Sequence, residues 1–162
     1  MAIATTEDRE SKPAVATDDC PECLAENLSW LLTQAHFNLV SEISAAFEPI
    51  GVSNRGYHVL TTALGAEHTQ KELAELIGLD KTTMVVTLDH LELDGLAVRR
   101  PSPTDRRVRV IEVTDAGKRK VAEGKAVVER VQAEVLEKLP APERQALLSA
   151  LERLACPGNA PV

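Results

Sequence analysis

Aromatic side chains are almost absent: of 162 residues only Trp30, Phe37, Phe47 and Tyr57 are Phe, Tyr or Trp. Leu, Ala and Val are abundant instead, so the core must be aliphatic and the composition leans helical. No apolar run approaches the ~20 residues of a membrane-spanning helix, so no membrane partner is expected. Nothing at the N-terminus reads as a signal peptide, and a cytoplasmic location follows as the expectation. Catalytic motifs are missing too: there is no P-loop, G-x-G-x-x-G, G-x-S-x-G or H-E-x-x-H. The four histidines are scattered and form no metal-ligand spacing. Neither an enzyme, a metal nor a cofactor is expected. Finally, an excess of positive charge is lacking. The net charge of −7 by itself counts against nucleic acid, whose binders usually carry a basic footprint.

What remains is 44% hydrophobic and 27% charged, the composition of a folded globular chain. Its charge is unevenly placed. Residues 1–79 sum to −8 and residues 80–94 to −3, whereas residues 95–120 sum to +5. That basic stretch holds Arg99, Arg100, Arg106, Arg107, Arg109, Lys118, Arg119 and Lys120. A basic cluster is often only a solvated surface, so the structure presenting it decides its partner.

Apolar residues at 24, 28, 31, 32, 35, 39, 43 and 47 predict an amphipathic helix over Leu24–Phe47, ended by Pro49 and Gly51. Ser53 caps a second helix reaching Leu64. Thr69 with Glu72 forms a capping-box pattern at the start of a third, which stops at Gly78. Asp80 caps a fourth, with Gly95 as its stop. Two β-branched, Arg-bearing runs, Leu96–Arg100 and Arg107–Val113, flank a Pro101–Asp105 hairpin tip. A long helix resumes at Thr114, and after Pro140 and Pro142 a last one carries Leu147, Leu148, Leu151 and Leu154. The fold class is mainly α with a small β-hairpin, in the order α-α-α-α-β-β-α-α.

The third and fourth helices have the spacing of a DNA-reading helix-turn-helix, whose two helices cross steeply and closely. Counting from Gln70, position four is Leu73, and position five is Ala74, where only a small side chain allows close approach. Position nine is Gly78 in the turn, position ten is Leu79, and position fifteen is Met84. At about 100° per residue, Met84, Leu88 and Leu91 share the core face of the fourth helix. Thr82, Thr83, Val86 and His90 then point outward, and with Lys81 they are placed to enter a major groove of double-stranded DNA. As a bland alternative they are ordinary exposed helix residues. The hairpin suits a wing, with Arg106 and Arg107 at its tip placed for a minor groove or phosphates. Arg99, Arg100 and Arg109 lie further down the strands and are expected to touch the DNA backbone or to pair with acids. Asp105 is expected to fix the wing by pairing with Arg107.

Residues 27–155 resemble a MarR-type winged helix-turn-helix regulator. The stretches that carry the likeness are Thr69-Gln-Lys-Glu-Leu-Ala-Glu-Leu-Ile-Gly78, Leu91-Glu-Leu-Asp-Gly-Leu96, and Asp105-Arg-Arg followed by Val113-Thr114-x-x-Gly117. The resemblance implies an obligate homodimer that binds a pseudo-palindromic operator, usually as a repressor. It divides the chain into an acidic tail (1–22), a helical dimerisation region (23–50 and 114–156), a winged helix-turn-helix (51–113) and a C-terminal tail (157–162). Two departures stand out. Ser102 replaces an additional Asp common in such wings, from which a looser tip is expected. Val86 and His90, with Asp89 and Glu92 nearby, leave the recognition helix poor in positive charge, so heavier reliance on the wing is expected.

Regulators of this type commonly take small-molecule effectors, typically aromatic acids, in a cleft between dimer region and winged helix. Trp30, His36, Tyr57 and His58 are the candidate lining residues, and core or surface roles explain them equally well. Cys20 and Cys23 in a C-x-x-C at the first helix, with Cys156 past the last, form a candidate redox site. A zinc site would need more ligands than this pair offers. A redox-sensing regulator and a dimeric adaptor that does not bind DNA therefore remain the alternatives.

Overall fold

Side-chain caps decide where the helices begin. The computed structural model describes residues 21–103 and 105–156. After a 3-10 turn at Glu22–Leu24, α1 (Leu28–Phe47) starts where Asn27 Oδ1 accepts the Trp30 N–H at 2.9 Å. The helix expected from Leu24 is therefore shorter, because the Asn27 side chain supplies a start signal inside the apolar period. A second 3-10 turn, Glu48–Ile50, ends at Gly51 with φ +72°. Ser53 Oγ accepts the Gly56 N–H at 3.0 Å and opens α2 (Asn54–Gly65).

The reciprocal box expected at α3 (Gln70–Ile77) is formed. Thr69 N–H donates to Glu72 at 2.7 Å, and Glu72 N–H donates back to Thr69 Oγ1 at 3.2 Å. These bonds hold the Glu72 carboxyl below its ordinary pKa, the Thr69 backbone bond first. Gly78 closes α3 in the left-handed region at φ +75°. Asp80 Oδ1 then accepts both the Thr82 and Thr83 N–H groups at 2.9 Å, starting α4 (Lys81–Leu93).

Strands β1 (Ala97–Pro101) and β2 (Arg109–Val113) pair antiparallel with Ala97 opposite Val113 and Pro101 opposite Arg109. A third, very short partner lies on the other side of β2. Thr69 bridges Val110, and the Ile111 N–H donates to the His68 carbonyl at 2.9 Å. Two long helices complete the chain, α5 (Asp115–Glu137) and α6 (Ala141–Ala155). The Arg144 guanidinium donates to the Leu139 carbonyl at 3.1 Å, in the turn between α5 and α6.

The chain divides into two units between Glu42 and Ile43, within α1. In the first, among the described residues, no side chain is fully buried. The second holds the core. Phe47, Val59, Leu60, Leu73, Met84 and Leu88 are sealed from solvent, with Ile111, Val113 and Val131 packed around them. The core is aliphatic except at one place, where the Phe47 and Tyr57 rings meet at 5.3 Å. Gly124 lets α5 lie against that pair, since a β-carbon there would fall 2.6 Å from Tyr57 Cδ2.

Candidate nucleic-acid interface

The turn between α3 and α4 has the geometry that its spacing requires. Leu73 and Met84 are fully buried where the two helices meet, and Leu79 N–H donates to the Ala74 carbonyl at 2.9 Å. Leu88 and Leu91 are buried on the same side of α4 as Met84. Thr82, Val86 and His90 are exposed on the other side, as the helical angle requires, and Lys81 is exposed at the first position of the helix. Thr83 differs from these. It is half-buried, and its hydroxyl donates to Asp80 Oδ2 at 2.6 Å, so it completes the cap while keeping only acceptor capacity. That bond, with the two backbone donors, lowers the Asp80 pKa and keeps the capping carboxylate ionised.

The hairpin departs from expectation in two ways. Asp105 does pin the tip, but through backbone: its Oδ1 accepts the Arg107 N–H and its carbonyl accepts the Val108 N–H, both at 2.9 Å. That short turn removes Arg107 and Val108 from the strand, so β2 begins at Arg109 rather than Arg107. Ser102 does not loosen the wing. It is buried, and its N–H donates to the Val108 carbonyl at 2.8 Å, closing the base of the loop. Arg106 and Arg107 are exposed at the tip, and Arg109 is exposed at the foot of β2. Among the described residues no carboxylate pairs with any of these three guanidinium groups.

Arg99 and Arg100 are engaged within the protein. Arg100 pairs across the strands with Glu112 at 3.0 Å. Arg99 reaches back to α4, where its guanidinium binds Glu92 and lies 2.7 Å from Asp89. Its own backbone N–H donates to Glu92 Oε1 at 2.7 Å. Pairing with acids is the second of the two expectations for Arg99 and Arg100; the partners themselves escaped the sequence reading, although the three-residue spacing of Asp89 and Glu92 puts both carboxylates on one flank.

The lower end of the hairpin is fixed to α5. Thr114 Oγ1 accepts the Gly117 N–H at 3.1 Å and donates to the Gly95 carbonyl at 2.7 Å. The Thr114 N–H also donates to the Leu96 carbonyl at 3.0 Å. A β-carbon at Gly117 would overlap that same carbonyl and come within 2.6 Å of Val113 Cγ1. Threonine and glycine at this spacing are therefore demanded by packing.

Of the candidate effector residues, Tyr57 and His58 line a surface cavity of about 310 Å³ with Thr61, Thr62, Leu76 and Ile77. Partial desolvation there lowers the His58 pKa from its ordinary value. Of the four added lining residues, Thr61 and Thr62 follow from helical spacing, one turn after 57 and 58, whereas Leu76 and Ile77 come from α3 and no local signal marks them. Trp30 and His36 lie in the first unit, half-buried and exposed respectively. Cys23 and Cys156 are free and exposed, and Cys20 lies outside the described residues. Among the described residues no helix is long and apolar enough to cross a membrane.

Comparison with known proteins fits this geometry. The sequence profile of the MarR family matches residues 51–108, the reading head from α2 to the wing tip. The transcriptional repressor CouR, in a structure bound to a 23-mer DNA duplex, is 30% identical over 86% of this chain and 99% of its own, with a TM-score of 0.77. CouR from Rhodococcus jostii RHA1, bound to p-coumaroyl-CoA, gives 29% identity over 85% and 97%, with a TM-score of 0.73. A MarR-family transcriptional regulator from Rhodococcus sp. RHA1 gives 28% over 85% and 98%, with a TM-score of 0.76. The fold is a winged helix-turn-helix, and the chain belongs to the MarR family of transcriptional regulators.

Proposed function

We propose that the protein works as a homodimer that binds a pseudo-palindromic operator, represses from it, and is released by a small-molecule effector. The observation that carries the DNA reading is the pairing of two surfaces. A capped α4 exposes Lys81, Thr82, Val86 and His90, and at the adjoining wing tip Arg106 and Arg107 have no carboxylate partner among the described residues. Lys81 and Thr82 suit phosphates or base edges, Thr83 with its remaining acceptor capacity a base-edge donor, Val86 a thymine methyl, and the tip arginines a minor groove or its flanking phosphates. Arg109 suits the backbone. The likeness to CouR, bound to a DNA duplex, supports the same use.

The dimer reading rests on apolar faces that the single chain leaves uncovered. Leu28, Leu31 and Leu32 on α1 are exposed, as are Leu147, Leu148 and Leu154 on α6, where no residue is buried. Residues 23–50 and 114–156 would then form the shared helical region, holding two recognition helices about 34 Å apart for successive turns of DNA. Effector release is supported by the cavity beside Tyr57 and His58 and by the acyl-CoA ligand of CouR. An aromatic acid suits the mixed apolar and polar lining. The exposed thiols of Cys23 and Cys156 support oxidation as a second trigger. Selection of bound fragments from genomic DNA tests the main reading: it should return inverted-repeat sites, and unselective recovery would exclude it.

A further inference from the structure

We propose that Asp89 is a base-reading residue of the recognition helix, selecting cytosine in the major groove, and that Arg99 is its positioning residue. This inference rests on the reading that α4 enters the groove. At about 100° per residue, Asp89 lies as near the outward meridian of α4 as His90 does, on the flank that faces the wing. Its side chain is 56% exposed, whereas that of Arg99 is 25% exposed. A bare carboxylate on a DNA-facing surface is repelled by the phosphates and would weaken every complex. Arg99 reduces that obstacle: its guanidinium lies 2.7 Å from Asp89 Oδ1, and because it also serves Glu92 the three groups together keep one negative charge instead of two. It cannot swing away to a phosphate, because its backbone N–H and a second guanidinium nitrogen are both held by Glu92.

The pair therefore presents to the groove a partly compensated carboxylate in a fixed orientation. Asp89 Oδ2 accepts no hydrogen bond among the described residues, and an ionised carboxylate can only accept. In the major groove guanine offers two acceptors and thymine a carbonyl, so both are repelled. Adenine offers its N6 donor beside the N7 acceptor, whereas cytosine offers the N4 donor alone. Cytosine is the base that fits.

Selection from a duplex library randomised across the half-site tests this with the full-length protein. The wild type should enrich one cytosine position per half-site about five- to tenfold over other bases, in the range of a single base contact. Asp89→Ala should flatten that position and leave the others intact, and Asp89→Asn should transfer the preference to adenine. Arg99→Ala should weaken binding to every duplex, with Asp89→Ala in the same chain restoring part of it. A motif left unchanged by Asp89→Ala, or uniform tightening on all duplexes, overturns the proposal. If the wild type enriches no motif, the reading of α4 as a groove helix fails first and takes this one with it.

Discussion

Gly117 faces the carbonyl oxygen of Leu96 so closely that a β-carbon on it would overlap that oxygen. The carbonyl cannot retreat, because it already accepts the Thr114 N–H at 3.0 Å and sits 3.2 Å from Thr114 Oγ1. Gly117→Ala should therefore destabilise the protein by about 2–3 kcal/mol, the upper range for forcing extra volume into a packed site. Urea denaturation read by far-UV circular dichroism measures it. A loss under about 0.5 kcal/mol, as for an ordinary surface change, would contradict the packing argument.

Gly124 makes a second such contact, with a softer neighbour. Its added β-carbon would meet the edge of the Tyr57 ring, 2.6 Å from Cδ2. A ring can tilt where a carbonyl cannot, so Gly124→Ala should cost less than Gly117→Ala. Tyr57 also lines the cavity. The same substitution should therefore change the affinity for an aromatic carboxylate probe, as read by titration calorimetry, while Gly117→Ala leaves it alone.

The Asp80 cap gives a pH signature. Its carboxyl pKa is lowered, first by the Thr83 hydroxyl and then by backbone N–H donors. A depressed carboxylate stabilises the fold above its ordinary pKa of 3.8, and that contribution disappears as pH falls through the lower folded value. Asp80→Ala should lower the denaturation midpoint at neutral pH, with the gap closing in acid. A gap that stays constant from neutral pH into the acid range would show that the charge plays no part.

His58 responds in the opposite region. Desolvation holds its pKa below the ordinary 6.5, so the unfolded chain takes up a proton first as pH falls through that value. Stability should decline just below pH 6.5, and His58→Gln should flatten that part of the profile. An anion in the cavity would favour the charged imidazole, so binding of a carboxylate probe should be accompanied by proton uptake. Calorimetry in buffers of different ionisation enthalpy detects that uptake.

Arg106→Ala with Arg107→Ala tests the wing. Removing both guanidinium groups should weaken binding to any duplex and flatten the logarithmic salt dependence by about 0.9 for each phosphate that is no longer neutralised. An unchanged slope would place both side chains off the DNA.

Local signals accounted for much of this fold. The caps at Ser53, Thr69 and Asp80 act between residues two or three apart, and each forms as the sequence indicates. The core face of α4 followed from angle alone. Long-range pairings were not legible. Nothing local marks Arg99 as the partner of Asp89, ten residues away, or His68 as a backbone partner of Ile111. The tip differs from expectation because the Asp105 carboxylate accepts the Arg107 backbone N–H instead of its guanidinium, and because the Ser102 backbone N–H closes the loop. Of the candidate site, Thr82, Val86 and His90 are exposed as the helical angle requires, Thr83 is half-buried because its hydroxyl completes the Asp80 cap, and the sign of Asp89 hides it from a search for basic residues. Its neighbour across the wing makes that sign usable.

The His68 carbonyl stitches the start of α3 to β2, while Arg99 stitches β1 to α4 and Thr114 stitches α5 to the turn between α4 and β1. The wing consequently has no joint of its own. Helix pair and hairpin must turn as one piece, like a key blade cut from a single blank. An effector that releases DNA has to rotate or separate whole blades, and any probe fixed to the wing tip should report the same angular displacement as one fixed to α4.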